Sequence, residues 1–283
     1  MPRSVHEALA TARRALSEAG IPAGDAALDA EVLARHALGW DRAALIARGR
    51  EEPTPGFEQR YAELIARRAA REPVAYIVGM REFWNRDFEV TRDVLIPRPE
   101  TELIVEEALD DARTWAPATI VDVGCGSGCI AVTLAAELPR VHVIATDVSA
   151  AALDVARRNA ERHRVADRLT FVVTDLLDRV SGPFDLIVSN PPYMSPEIEP
   201  TLQPEVAWYE PRQALYAGGD GLDAYRRLFP AAAERLADEG LLVVEFGFGQ
   251  EADVRDLARA AGLHVTRVRA DLQNIPRVAV LRR

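Results

Sequence analysis

Five short apolar runs, 119–123, 141–146, 169–173, 184–188 and 241–246, follow Pro99 in regular alternation with amphipathic stretches such as 149–162 and 225–237. Strands that alternate with helices run parallel, because a parallel neighbour can be reached only through a crossover of a dozen or more residues. The spacing therefore predicts βα units and a mostly parallel sheet. Runs 263–268 and 277–281, around a turn at 271–276, read as a closing strand pair and bring the sheet to seven strands. In such sheets ligands sit at the carboxyl ends of the strands, so the residues just after each run carry the functional reading.

The first 70 or so residues have helical periodicity instead, with Val5, Leu9, Ala12 and Leu16 on one face and Leu28, Val32 and Leu33 on another. Asp25 and Asp41 are expected N-caps, and residues 53–56 punctuate before the stripe Phe57, Tyr61, Leu64 and Ile65. From Val74 the pattern changes to strands, at Tyr76-Ile77-Val78 and from Phe83-Trp84 to Phe88-Glu89-Val90, with Asn85-Arg86-Asp87 as turn chemistry. The expected division is a helical domain over 1–72, a β-hairpin linker over 73–98 and an α/β domain over 99–283.

Composition narrows the chemistry. A 283-residue chain with 48% hydrophobic and 28% charged residues suits a soluble two-domain protein. It has no apolar stretch near the ~20 residues a membrane helix needs and no apolar secretory core after Arg3, His6 and Glu7, so a cytoplasmic location is expected. The two cysteines, Cys125 and Cys129, are too few for a disulfide framework and lack the His/Cys company of a zinc site. A net charge of -10 argues against main affinity for nucleic acid. All 34 basic residues are arginine, which excludes lysine Schiff bases and the Walker lysine.

Three turns after strands stand out. Asp122-Val123-Gly124-Cys125-Gly126-Ser127-Gly128 places glycines at alternate positions before a helix, letting backbone approach a ligand closely, although such a turn can also merely join strand to helix. Cys129 stands where the dinucleotide fingerprint wants its third glycine. Asp147 ends the second strand and suits ribose hydroxyls or an N-cap, while Asp175 suits an adenine amine or a plain turn, with Leu176 against the ring. Asn190-Pro191-Pro192-Tyr193 ends the fourth strand abruptly, since proline cannot continue the ladder. A planar NH2 is a poor nucleophile because its lone pair is delocalised. If the Asn190 side-chain oxygen and the Pro191 carbonyl accept its hydrogens, the lone pair turns towards a methyl donor, and Tyr193 can stack on the planar target.

The glycine turn combined with Asn190-Pro191-Pro192-Tyr193 resembles a class I S-adenosylmethionine-dependent methyltransferase, with a Rossmann-like sheet. Further segments resemble the glutamine methyltransferases of peptide chain release factors, the HemK/PrmC family: Gly79-Met80-Arg81-Glu82-Phe83-Trp84, Ile96-Pro97-Arg98-Pro99-Glu100-Thr101-Glu102, Glu210-Pro211-Arg212-Gln213-Ala214-Leu215 and Gly218-Gly219-Asp220-Gly221-Leu222. The resemblance implies S-adenosylmethionine as cofactor, held by Gly124, Cys125, Gly126, Ser127, Gly128, Asp147, Asp175, Leu176 and Asn190. It implies Asn190, Pro191, Pro192 and Tyr193 as the substrate site, with Asn190, Pro191 and Tyr193 carrying catalysis, and 97–102 as a pocket wall. The implied substrate is a glutamine in the Gly-Gly-Gln motif of class I release factors, recognised through the helical domain, with no metal, membrane or direct nucleic-acid partner and a monomer expected. Leu176 departs from the larger aromatic residue expected there, and Glu245-Phe246-Gly247 from the usual Glu-Ile-Gly. Arg98, Glu100 and Glu102 read as a charged loop before a helix, or the two glutamates as a clamp on the linker through an arginine, and not as an acid/base set. The rival readings are a nucleic-acid amine methyltransferase acting on adenine or guanine and a cofactor-binding translation adaptor without catalysis.

Overall fold

The computed structural model describes residues 4–115 and 119–283. Helices α1 (Val5–Glu18), α2 (Ala23–Leu38), α3 (Arg42–Arg48), α4 (Phe57–Ala69) and α5 (Val74–Val78) come first, followed by a hairpin of β1 (Met80–Phe83) and β2 (Arg86–Glu89). Next come α6 (Glu102–Trp115), β3 (Thr119–Val123), α7 (Cys129–Glu137), β4 (His142–Asp147), α8 (Ala150–Arg162), β5 (Leu169–Val173) and β6 (Phe184–Ser189). The chain ends with α9 (Pro204–Tyr209), α10 (Asp223–Arg235), β7 (Leu236–Glu245), α11 (Glu251–Ala260), β8 (His264–Ala270) and β9 (Pro276–Arg282). Two compact units divide these elements: residues 1–79 with Gln203–Tyr209, and Met80–Leu202 with Glu210–Arg283.

In the helical unit the apolar faces of α1, α2 and α4 meet around Leu16, Leu33 and Phe57, all fully buried. Asp41 caps α3 by accepting from the Ala44 amide at 2.7 Å, but Asp25 lies inside α2, whose N-cap is Pro22. Tyr76-Ile77-Val78, expected as a strand, is the helix α5. Pro73 at its N-cap accepts from the amides of Tyr76 and Ile77, and Gly79 at φ 75° stops it after five residues. Burial of Ile77 among the helices outweighs the β preference of the run. A charged knot ties α9 to this unit: buried Arg68 bonds Asp29 and Glu205, each at 2.7 Å, and Arg71 reaches Glu205 at 2.8 Å.

The larger unit holds the seven-stranded sheet in the order β5-β4-β3-β6-β7-β9-β8. The first five of these strands pair in parallel and β9 pairs antiparallel with both β7 and β8. Val121, Val123, Ile187 and Val244 line the core on one face of the sheet, and Ile120, Val143, Val188 and Val243 line it on the other. Strands buried on both faces read as near-continuous apolar runs, which is why they were legible. The order reverses between β3 and β6, and that switch point is where both the glycine turn and Asn190 emerge. The hairpin turn is Trp84-Asn85, both at positive φ of 53° and 54°, a two-residue turn that matches strand twist. Asn159 on α8 ties the hairpin to the glycine turn: Oδ1 accepts from the Glu89 amide, and Nδ2 donates to the carbonyls of Glu89 and Ser127, all within 2.7–2.9 Å.

Candidate active site

A cavity of about 510 Å³ opens over the switch point, within the size range of small-molecule sites. Gly124, Cys125, Gly126 and Ser127 of the glycine turn, Asp147, Val148, Asp175, Leu176, Asn190 and Pro192 stand in its wall, with Arg98 and Thr101 before α6 and Gln213, Ala214, Tyr216, Ala217 and Gly218 beyond them. Gly128, Pro191 and Tyr193 are not among its walls. Pro191 is buried, and Tyr193 packs against the core, its carbonyl accepting from Gln250 at 3.0 Å.

The turn is built by the sheet. The amides of Gly124 and Cys125 both donate to the Thr146 carbonyl of the adjacent strand at 2.9 Å, and Gly124, Gly126 and Gly128 have φ of 72°, 54° and 77°. The following helix begins at Cys129, with Gly128 as its N-cap. At Gly128 an added Cβ would stand 2.9 Å from the Ala156 Cβ, whereas at Gly126 it would meet open space. Gly128→Ala is therefore expected to cost about 2–5 kcal/mol, from left-handed strain of ~1–2 plus overpacking of ~1–3. Gly126→Ala should show only the strain, and chemical denaturation of the two variants checks the difference.

Asp147 accepts from the Gly126 amide through one oxygen and from the Ser149 amide through the other, each at 2.9 Å. Burial raises its pKa and these amides pull it back. Ser149, not Asp147, caps α8, accepting from Ala152. A carboxylate has about four acceptor sites, so Asp147 keeps capacity for hydroxyl donors. Asp175 is exposed and bonds Arg227 at 2.6 Å, a pairing across the cavity wall that the sequence did not disclose. Leu176 holds a positive φ of 45°. Cys125 and Cys129 are buried free thiols; burial pushes Cys129 up to about 12, so neither is a ready nucleophile. Asp122, beneath the turn, accepts from the Ala131 amide through Oδ2 at 3.0 Å, and its Oδ1 has no partner among the described residues. Burial pushes its pKa up to about 7.

Asn190 donates through Nδ2 to the Thr101 hydroxyl at 2.9 Å, and that hydroxyl donates to Glu245 at 2.7 Å. Thr101 and Glu245 are both buried, and the Glu245 carboxyl is pushed up to about 7 by burial. The resemblance had implied 97–102 as a pocket wall, but the link from Thr101 to Glu245 was not read from the sequence, because the two lie 144 positions apart along the chain. Nearby, Arg98 pairs with the buried Glu210 at 2.5 Å, and Glu102 accepts from the Trp84 amide at 2.8 Å. Glu102 thus holds the hairpin through a backbone amide and not through an arginine. Among the described residues no group of three or more His, Cys, Asp or Glu could hold a metal, and no helix is long and apolar enough to cross a membrane.

Solved structures share this fold at low identity. The hMettl16 catalytic domain in complex with MAT2A 3′UTR hairpin 6 is 18% identical with a TM-score of 0.57, covering 78% of this chain and 82% of that one. A methyltransferase from Pyrococcus furiosus is 18% identical with a TM-score of 0.51, covering 79% and 97%. Sheet order and cavity together define a methyltransferase with a Rossmann-like domain, and the methyltransferase small domain family matches residues 100–209. The PrmC N-terminal domain family matches residues 7–79. A release factor glutamine methyltransferase of Cereibacter sphaeroides is 45% identical over 98% of this chain and 97% of its own length, and one of Bradyrhizobium diazoefficiens is 44% identical over 92% and 89%. The chain belongs to the release factor glutamine methyltransferase family.

Proposed function

We propose that this chain transfers a methyl group from S-adenosylmethionine to the side-chain amide nitrogen of the glutamine in the Gly-Gly-Gln motif of class I peptide chain release factors. The observation that carries the reading is the placing of Asn190 and the glycine turn in the wall of one cavity at the switch point, in a chain of this family. When bound, S-adenosylmethionine supplies an electrophilic methyl group on a positively charged sulfur. The residues fit it: bare backbone at Gly124 and Gly126 for close approach, Asp147 for the ribose hydroxyls, and Val148 and Leu176 as apolar walls for the adenine. Asp175 offers its second oxygen to the adenine amine while the first holds Arg227.

Asn190 Oδ1 and the Pro191 carbonyl accept the two amide hydrogens of the glutamine and turn its lone pair out of conjugation. Pro192 and Tyr193 shape and shield the site. No base is needed, since the methylated nitrogen is acidic enough to release its proton to water; Arg98 and Glu102 already have structural partners. The helical unit recognises the protein substrate, and the reaction takes place in the cytoplasm between monomeric enzyme and free factor. The net charge of -10 sets the nucleic-acid reading behind this one.

Peptide mapping by mass spectrometry, after incubation with S-adenosylmethionine and either a release factor or DNA, tests the proposal. One added methyl on the Gly-Gly-Gln peptide is expected. Methylated DNA with an unmodified factor, or a bound but unmodified factor, would replace it with one of the rivals.

A further inference from the structure

We propose that Glu245, acting through Thr101, sets which end of the Asn190 amide faces the substrate. This rests on the reading that Asn190 accepts a hydrogen from the glutamine NH2. The chain of bonds is short and buried: Asn190 Nδ2 to Thr101 Oγ1 at 2.9 Å, and Thr101 Oγ1 to Glu245 Oε2 at 2.7 Å. An ionised carboxylate can only accept. The one hydroxyl proton of Thr101 is therefore committed to Glu245, and Thr101 can meet Asn190 only as an acceptor. Asn190 must give it the NH2 end. Fixing the nitrogen against Thr101 fixes the carbonyl oxygen at the other side of the amide plane, in a residue that stands in the cavity wall.

Protonation reverses the logic. A neutral Glu245 can donate to Thr101, whose own hydrogen is then released towards Asn190. The amide then gains by turning its oxygen to Thr101 and its NH2 to the substrate, where two donors face each other and no bond forms. Thr101 and Glu245 are thus positioning residues, and ionised Glu245 is the competent form. Burial, which lifts the Glu245 carboxyl, places this change within reach of ordinary assay conditions. The groups facing Glu245 are Arg98 and Glu100 from the segment before α6, Arg277 from β9, and Tyr193, Tyr225 and Cys129; the two arginines favour the ionised form and Glu100 opposes it.

Three variants test this with the full-length chain and a release factor. Thr101→Val keeps the shape but removes the hydroxyl, and is expected to lower kcat by about 10- to 100-fold with KM for the factor changed less than threefold. Thr101→Ser, which restores the hydroxyl, should recover kcat to within about threefold. In the parent kcat falls on the acid side as Glu245 gains its proton; Glu245→Gln, which has no proton to gain or lose in this range, should lose that acid limb. A readout that needs no turnover is the side-chain amide signal of Asn190 in ¹⁵N-asparagine-labelled protein. It should shift with pH in the parent and stay constant in Glu245→Gln. Equal kcat in the Val and parent proteins, equal loss in the Val and Ser variants, or an unchanged acid limb or amide titration in Glu245→Gln would each overturn the proposal. A parent protein that transfers no methyl to the factor would overturn the functional reading instead, and the amide titration would still decide this one.

Discussion

Asn190→Ala is expected to lower kcat for release-factor methylation by about 10²- to 10³-fold, the usual cost of removing one preorganised polar contact at a reacting group. The affinity for S-adenosylmethionine should change little, because the glycine turn and Asp147 are built by β3 and β4 and do not depend on the amide. An acceptor whose geometry matters chiefly at the transition state costs turnover and not binding. Single-turnover rates and calorimetric titration of the cofactor separate the two, and an unchanged single-turnover rate would contradict the role given to Asn190.

The largest stability effect is expected at Arg68→Ala. The side chain is 7% exposed and bonds two carboxylates, Asp29 and Glu205, that are each 14% exposed. Removing the cation leaves both acids partly buried without it, a loss of about 3–5 kcal/mol by analogy with other broken buried pairs. Arg71 can hold Glu205 but has no bond to Asp29 in the network. As a control, Arg259→Ala removes a pair with Asp256 in which both side chains are more than 70% exposed, and should cost under about 1 kcal/mol. Urea unfolding followed by far-ultraviolet circular dichroism measures both. A loss at Arg68 no larger than that at Arg259 would show that the knot does not hold α9 to the helical unit.

Much of the fold was legible because the sheet is covered on both faces. Runs such as 119–123 and 169–173 are mostly apolar and bounded by turn residues, and β3 and β5 match them residue for residue. The glycine turn, Asp147 and Asn190 were legible for a related reason: each directly ends a strand, so local sequence places it at the sheet's carboxyl edge. Other features were hidden because they depend on contacts distant in sequence. Tyr76-Ile77-Val78 has strand composition, but the Pro73 and Gly79 brackets and packing of Ile77 make it helical. The pairing of Asp175 with Arg227 and the path from Asn190 through Thr101 to Glu245 join residues 52, 89 and 144 positions apart. No periodicity carries such information, although a glutamate directly after the buried apolar run 241–244, as Glu245 is, was a signal that a buried partner must exist.

The account turns on two oxygens holding one carboxamide. A crystal structure with S-adenosylhomocysteine and a Gly-Gly-Gln peptide tests it most directly. The Asn190 side-chain oxygen and the Pro191 carbonyl should each lie within about 2.7–3.2 Å of the glutamine nitrogen, with Asn190 still donating to Thr101. A glutamine bound elsewhere, or Asn190 turned away from it, would contradict the account.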